Sequence, residues 1–260
     1  MRFLIVINLA GKIAALLVGW SAPVVALALW FGPDLLLAYH IFVPSAQGLL
    51  RVHTRFATAR REVWLTIDDG PDPEDTPRIL DLLAAHGARV TFFVIGEKAV
   101  AHPGLVRAMA AAGHEVGHHT QTHPLGTFWH ASPARVAREL DECLAVLRTA
   151  GVRPVRFRAP AGIKSLWLGP ALAARGLMCV GWSARGLERR RGADVEAVAG
   201  RLRRGLAPGA ILLLHEGPAV PAAIRVHAIR RVLERLREQG YQCVVPTPEQ
   251  LAGRYEAREI

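Results

Sequence analysis

Apolar positions are spread unevenly along the chain. Residues 13–31 carry no charge, and a run of that length suffices to cross a bilayer. It is too long for a simple signal-peptide core, and no clean small-residue cleavage site follows it. Gly32-Pro33-Asp34 then reads as a turn. A second charge-free stretch, residues 35–50, is slightly short for a span and is broken by Pro44; it either crosses without tilt or lies at the interface. Past residue 61 the pattern changes to short apolar runs separated by amphipathic segments. The runs predict strands over 62–67, 89–95, 115–117, 155–158, 178–182, 210–214 and 241–245. The segments between them predict helices over 75–87, 103–112, 133–149, 168–175, 194–204, 221–239 and 247–251. Boundaries are signalled chemically. Asp75-Thr76-Pro77 and Ser132-Pro133 each place a cap residue before a helix-starting proline, and Gly87 and Gly113 close helices. Strands alternating with helices predict an α/β fold with parallel strands, a (β/α) barrel that is incomplete at about seven strands, preceded by one or two transmembrane helices. The chain divides into membrane segment(s) over 1–50, a basic junction over 51–61 and one domain over 62–255.

Composition changes this picture little. The chain has 260 residues, 51% of them hydrophobic, and a formal net charge of +10. Nearly all the basic residues are arginine, which fits the codon bias of a GC-rich genome. No aromatic–basic interleaving or nucleic-acid motif is present, so no nucleic acid is expected as a partner; a basic face beside anionic lipid suits a chain with a membrane segment better. Arg2 and Lys12 precede the first span, Arg51, Arg55, Arg60 and Arg61 follow the second stretch, and the turn between has neither Lys nor Arg. If both stretches cross, the positive-inside rule puts the domain in the cytoplasm; if only the first crosses, the domain is periplasmic. The pattern favours a hairpin in the bacterial inner membrane with the domain on the cytoplasmic side. Cys143, Cys179 and Cys243 have no metal-binding spacing and read as buried free thiols.

Two clusters carry chemistry. Asp68-Asp69-Gly70-Pro71 ends the first strand of the domain, and His118-His119-Thr120-Gln121-Thr122-His123 ends the third. Side chains alternate along a strand, so Asp68 and Asp69 should point in different directions, one towards a metal and the other towards substrate or water. One Asp with two His at four-residue spacing makes a three-ligand catalytic metal site with open positions. Each cluster alone has a blander reading, a turn or an exposed histidine pair; both at strand ends, where barrels of this class carry their active sites, favour the metal.

The chain resembles the polysaccharide deacetylase family (carbohydrate esterase family 4, the NodB homology domain) over about residues 62–250. The resemblance rests on Thr66-Ile67-Asp68-Asp69-Gly70-Pro71, on His119-Thr120-Gln121-Thr122-His123, on Arg158-Ala159-Pro160-Ala161-Gly162 and on Leu212-Leu213-Leu214-His215. It implies that Asp69, His119 and His123 bind one divalent metal, most commonly zinc. It implies further that Asp68 is the general base for the attacking water, that His215 is the general acid for the leaving amine, and that Arg158 holds Asp68 in place and ionised. A backbone N–H near Ala161 would meet the oxyanion, and Trp182 would line the sugar pocket. His86, His102, His114 and His118 read as structural or exposed, and Glu216 as a solvated neighbour.

Two departures stand out. Ala161 sits where the family usually has an aromatic residue, and Arg185 where an acid that tunes the histidine is expected. A cation there would depress His215 unless another carboxylate, Glu188 for instance, supplies the partner. Arg185 and Lys164 could instead meet an anionic substrate group. The expected activity is metal-dependent hydrolysis of an N-acyl, most simply N-acetyl, group from an amino sugar in a polysaccharide, peptidoglycan or lipid-linked glycan. The alternative is a non-catalytic, membrane-anchored carbohydrate-binding protein of the same fold.

Overall fold

The computed structural model describes residues 2–256. Two apolar helices come first, α1 (Arg2–Val18) and α2 (Pro23–Phe42). Nine strands follow: β1 (Val52–His53), β2 (Glu62–Gly70), β3 (Thr91–Val94), β4 (Glu115–His118), β5 (Arg156–Phe157), β6 (Met178–Val180), β7 (Ala184–Arg185), β8 (Ala210–His215) and β9 (Gln242–Cys243). Between them lie α3 (Asp75–Ala85), α4 (Gly96–Ala101), α5 (Pro103–Ala111), α6 (Pro133–Thr149), α7 (Leu168–Ala173), α8 (Val195–Arg204) and α9 (Arg225–Glu238), and α10 (Pro248–Glu256) closes the series. Ser132 and Asp194 cap α6 and α8 through their side chains.

All the strand pairings are parallel. The order is β1-β6-β5-β4-β3-β2-β8-β7, with β9 paired to the start of β2. The two ends of that path do not pair with one another, so the barrel is open, as expected, with nine strands in place of about seven. The additional ones, β1 and β7, are two residues long, too short to leave a periodic signal.

β2 is buried along its whole length, as befits a central parallel strand covered on both faces. Val63, Leu65 and Ile67 pack into the outer core with Ile79 and Leu83 of α3 and Ile229 of α9. Burying each such side chain contributes about 1.5–3 kcal/mol. Trp64 faces the barrel interior with Phe93, Val180 and Ile211. By the same parity Thr66 and Asp68 point inward.

At the N-terminus the reversal falls at residues 19–22, between α1 and α2, and not at residues 32–34. Gly19 supplies a left-handed φ of 46°, and Pro23 starts α2 where its missing N–H costs nothing. Pro33 is accommodated inside α2. Asp34 is held there by Lys12 Nζ at 2.7 Å and Asn8 Nδ2 at 2.5 Å from α1. A Cβ on Gly11 would lie 2.7 Å from Leu29 O and from Pro33, so glycine permits this close crossing. Phe3–Ser21 and Pro23–Phe42 are each long and apolar enough to cross a membrane, and Leu17, Trp20 and Val24 among them are exposed.

The end of α2 is fastened to the domain. Lys164 N donates to Ile41 O at 3.0 Å, and Lys164 Nζ donates to Val43 O at 2.7 Å and Pro44 O at 3.2 Å. Lys164 is therefore a buried clamp on the helix end and does not meet substrate; its neighbours are all carbonyls, which an ammonium can satisfy three at a time.

Candidate active site

The site forms at the carboxyl ends of the strands. Its organising feature is an irregularity in β2. Asp68 pairs with Phe93 of β3 but Gly70 pairs with Val94, so Asp69 is one residue extra. Its φ is 72°. Such a bulge re-aims a side chain, and it overturns the expectation that the two aspartates point apart. Both line one cavity of about 420 Å³. They differ in partners instead of direction: Asp68 Oδ1 accepts from Arg158 Nη1 at 2.6 Å, while Asp69 Oδ1 lies 3.4 Å from His119 Nε2 and 3.3 Å from His123 Nε2. At the next position, Gly70, a Cβ would sit 1.8 Å from Glu216 Oε1, so any other residue would displace that buried carboxylate.

His119 follows β4 directly. Its Nδ1 lies 2.8 Å from Arg158 O; a carbonyl only accepts, so Nδ1 carries a proton and Nε2 is turned towards Asp69. The loop to His123 is held by Glu139 of α6, whose carboxylate accepts from Gln121 N and Thr122 N, both at 2.9 Å, and from Thr122 Oγ1 at 2.6 Å. Burial, reinforced by the charge of His119, pushes His123 down to about 4, so its imidazole is neutral near pH 7. Burial pushes the Asp69 carboxyl up, but the close approach of His119, with His215 and His123, outweighs it and leaves the group well below the usual carboxylate range. Asp69, His119 and His123 present three donor atoms within 4.8 Å of one another. Asp69 Oδ1 is buried yet has no hydrogen-bond partner among the described residues. A buried anionic oxygen without a donor, facing the Nε2 atoms of two imidazoles, is the arrangement a divalent cation would complete.

Arg158 lies behind this set and is wholly buried. Besides Asp68 it donates to Thr66 Oγ1 at 2.7 Å, Gly181 O at 2.8 Å and Val180 O at 3.2 Å, and it stacks 4.2 Å from the Phe93 ring centroid. Three of these guanidinium bonds thus fix the fork so that the fourth meets one oxygen of Asp68.

His215 ends β8 and is the register partner of Asp68, so the two stand side by side on strands about 5 Å apart. Its Nδ1 lies 3.3 Å from Glu188 Oε1, and the same oxygen accepts from His215 N at 2.8 Å. Burial works against the imidazolium, but the Glu188 hydrogen bond and charge, helped by Asp68 and Asp69, raise His215 above its ordinary value. The depression expected from Arg185 is therefore not found: Glu188, itself buried, supplies the carboxylate. The cation nearest His215 is Arg189, with Nη2 3.5 Å from Nε2 and Nη1 3.4 Å from Asp69 Oδ2.

Of the nine site residues read from the sequence, Arg158 lies behind the cavity and Asp68, Asp69, His119, His123, Ala161, Trp182, Arg185 and His215 line it. Ala161 has a φ of 52°. Glu139, Arg189 and Arg190 escaped the sequence reading. The last two lie in a run of arginines indistinguishable by composition from the rest. Glu216 is not solvated: it is buried, its Oε2 accepts from Thr76 Oγ1 at 2.5 Å, and burial pushes it up to about 8.

The model of the polysaccharide deacetylase family matches residues 56–177. A chitooligosaccharide deacetylase of Sinorhizobium fredii is 36% identical over 203 residues, covering 74% of this chain and 93% of its own. The chain belongs to the polysaccharide deacetylase family. A peptidoglycan-N-acetylglucosamine deacetylase of Bacillus cereus is 32% identical over 187 residues, 71% of this chain and 66% of its own. Among solved structures, the Bc1960 peptidoglycan N-acetylglucosamine deacetylase aligns with a TM-score of 0.70 at 27% identity, over 76% of this chain and 91% of that one.

Proposed function

We propose that the chain is a metal-dependent hydrolase that removes an N-acetyl group from an amino sugar of a glycan. The observation that carries this reading is the orphaned, buried Asp69 Oδ1 facing His119 and His123, with Asp68 and His215 in register beside it. A divalent ion held by Asp69, His119 and His123, zinc by the chemistry of one carboxylate and two imidazoles, would polarise the amide carbonyl and acidify the attacking water. Asp68, fixed by Arg158, takes the proton as the water oxygen bonds to the carbonyl carbon. His215, protonated at Nε2 and backed by Glu188, gives a proton to the nitrogen as the C–N bond breaks. Acetate and a free amine result, and each proton transfer contributes about 10²–10⁴-fold. Ala161 and Trp182 line the sugar subsite.

The deacetylase domain occupies about residues 62–255, after the junction at 51–61. The hairpin of α1 and α2 anchors it in the inner membrane. Arg2 lies on one flank of the hairpin, and Arg51, Arg55, Arg60 and Arg61 on the other, whereas the turn at 19–22 has no basic residue; the positive-inside rule then places the domain in the cytoplasm. The test is acetate release from chitooligosaccharide, peptidoglycan and lipid-linked N-acetylglucosamine, comparing wild type with Asp68→Asn and His119→Ala, with and without zinc. Release that needs the metal and is lost in both variants supports the assignment. Metal-independent release, or full activity in either variant, refutes it.

A further inference from the structure

Three arginines, Arg185, Arg189 and Arg190, are among the residues that line the same cavity as the proposed acid–base pair. Their positions are built by the backbone. Arg185 lies on β7, paired with Leu213 of β8, and its guanidinium sits 6.0 Å from the Trp182 ring centroid. Leu187, at a φ of 59°, turns the chain so that Arg189 and Arg190 come back onto the cavity. Neither Arg185 nor Arg190 has an ion-pair partner among the described residues. The nearby carboxylates are committed elsewhere: Glu188 to His215, Asp68 to Arg158, and Asp69 to the histidines and Arg189. A neutral N-acyl amino sugar offers only hydroxyls and an amide. It gives no reason to gather three cations beside a site that would also hold a dication, since each repels the others. An anion does, and planar guanidiniums match phosphate oxygens two at a time.

We propose that the substrate carries a phosphate ester on its N-acyl amino sugar, bound by Arg185, Arg189 and Arg190. The proposal rests on the deacetylase reading for the sugar and its amide. The lining at Ala161 and Trp182 brings in a second feature. Gly162, beside Ala161, is so close to the end of the hairpin that a Cβ there would lie 2.5 Å from Pro44 and 2.9 Å from the Trp182 ring. The segment that leads out of α2 therefore packs beside Ala161 and Trp182, two residues that line the cavity. A sugar phosphate esterified to a lipid and a soluble sugar phosphate share the chemistry that the arginines read.

The experiment uses the full chain in detergent micelles. The kcat/KM for N-acetylglucosamine 1-phosphate and for a polyprenyl phosphate-linked N-acetylglucosamine is compared with that for neutral chitobiose. Wild type is expected to prefer a phosphorylated substrate by about 10- to 100-fold, the range of a charge-assisted hydrogen bond or two. In R185A/R190A the ratio should fall towards one, and R185K/R190K should keep part of it. A ratio on one enzyme preparation is insensitive to the fraction folded. Equal preference for both phosphorylated substrates assigns the phosphate alone; preference confined to the polyprenyl form assigns the lipid-linked source. A wild-type ratio near one, or a ratio unchanged in R185A/R190A, overturns the proposal. If nothing is hydrolysed, the deacetylase reading falls and calorimetry decides the anion site. Binding of N-acetylglucosamine 1-phosphate but not of N-acetylglucosamine, lost in R185A/R190A, upholds it; equal binding of the two, or none, overturns it.

Discussion

Replacing Glu188 by Gln tests the proposed acid, His215, directly. The side chain keeps its size and can still accept from His215 N, but it loses the charge that lies 3.3 Å from Nδ1. His215 is also faced by Asp68 and Asp69 from β2 and by Arg189 from its own side of the cavity. With Glu188 neutral, burial and Arg189 oppose the imidazolium and only the two aspartates favour it. The sign follows. Glu188 raises His215, so the proton stays on Nε2 to higher pH. Stability from the pair is fully present below the ordinary histidine pKa and is lost as pH rises through the raised one. The alkaline limb of the kcat/KM–pH profile should therefore move to lower pH in Glu188→Gln. A hydrogen bond to a charged group is worth about 1.5–3 kcal/mol, and about 1.4 kcal/mol is a factor of ten. On the alkaline side kcat/KM should thus drop by roughly 10- to 150-fold, with a smaller loss at pH 6. Glu188→Asp keeps the charge and should keep more of the limb. Steady-state kinetics from pH 5 to 10 (hydrolysis read as acetate release) measures both. An unmoved limb in Glu188→Gln, or one that moves to higher pH, would refute the pairing of Glu188 with the acid.

Two other substitutions probe the scaffold of the site. Glu139→Gln removes the charge that holds the His119–His123 loop through three hydrogen bonds, and it should weaken the affinity of the proposed metal site, probed with zinc, about 10- to 100-fold, the usual effect of a residue that orients ligands; competition with a chromogenic chelator measures it, and unchanged affinity would show that the loop holds itself. Arg158→Met strands Asp68 as a buried charge, which should cost about 3–5 kcal/mol. At about 2–4 °C per kcal/mol for a domain of this size, the melting midpoint should fall by roughly 6–20 °C, and calorimetry would show a smaller drop if water reaches Asp68.

The parts of this molecule that are legible in sequence are those set by local rules. Ser132 announces its helix because a cap needs a specific side chain at a specific place. The strands of the domain announced themselves because burial on both faces demands unbroken apolar runs. The hairpin turn was misplaced for the same kind of reason. Gly32-Pro33-Asp34 has turn chemistry, but Lys12 and Asn8, more than twenty residues away, satisfy Asp34 inside a helix. Long-range partners also hid Lys164, whose role depends on the end of α2, and Glu216, whose burial depends on Gly70 and Thr76. Arg189 and Arg190 reach the cavity only because Leu187 turns the chain, and a φ of 59° at a leucine has no signature in sequence.

Backbone irregularity is concentrated where the chemistry is. Asp69, Thr120, His123 and Ala161 all have positive φ without being glycine, and each such residue costs of the order of 1–3 kcal/mol. Regular strand ends would cost less, but they would send Asp68 and Asp69 to opposite faces of β2. The bulge therefore exchanges stability for two carboxylates in one cavity. Something outside the strand has to hold it, since a bulge with no tertiary restraint would relax into register. Lys98 Nζ donates to Asp69 O at 2.5 Å, and Thr120 Oγ1, by accepting from His123 N at 3.1 Å, does the same for the histidine loop. Among the described residues, neither side chain hydrogen-bonds to the proposed acid or the proposed base. They fix the backbone from which the candidate ligands project, so the geometry of the site is determined as much by α4, which carries Lys98, as by the strands that carry the aspartates and His215.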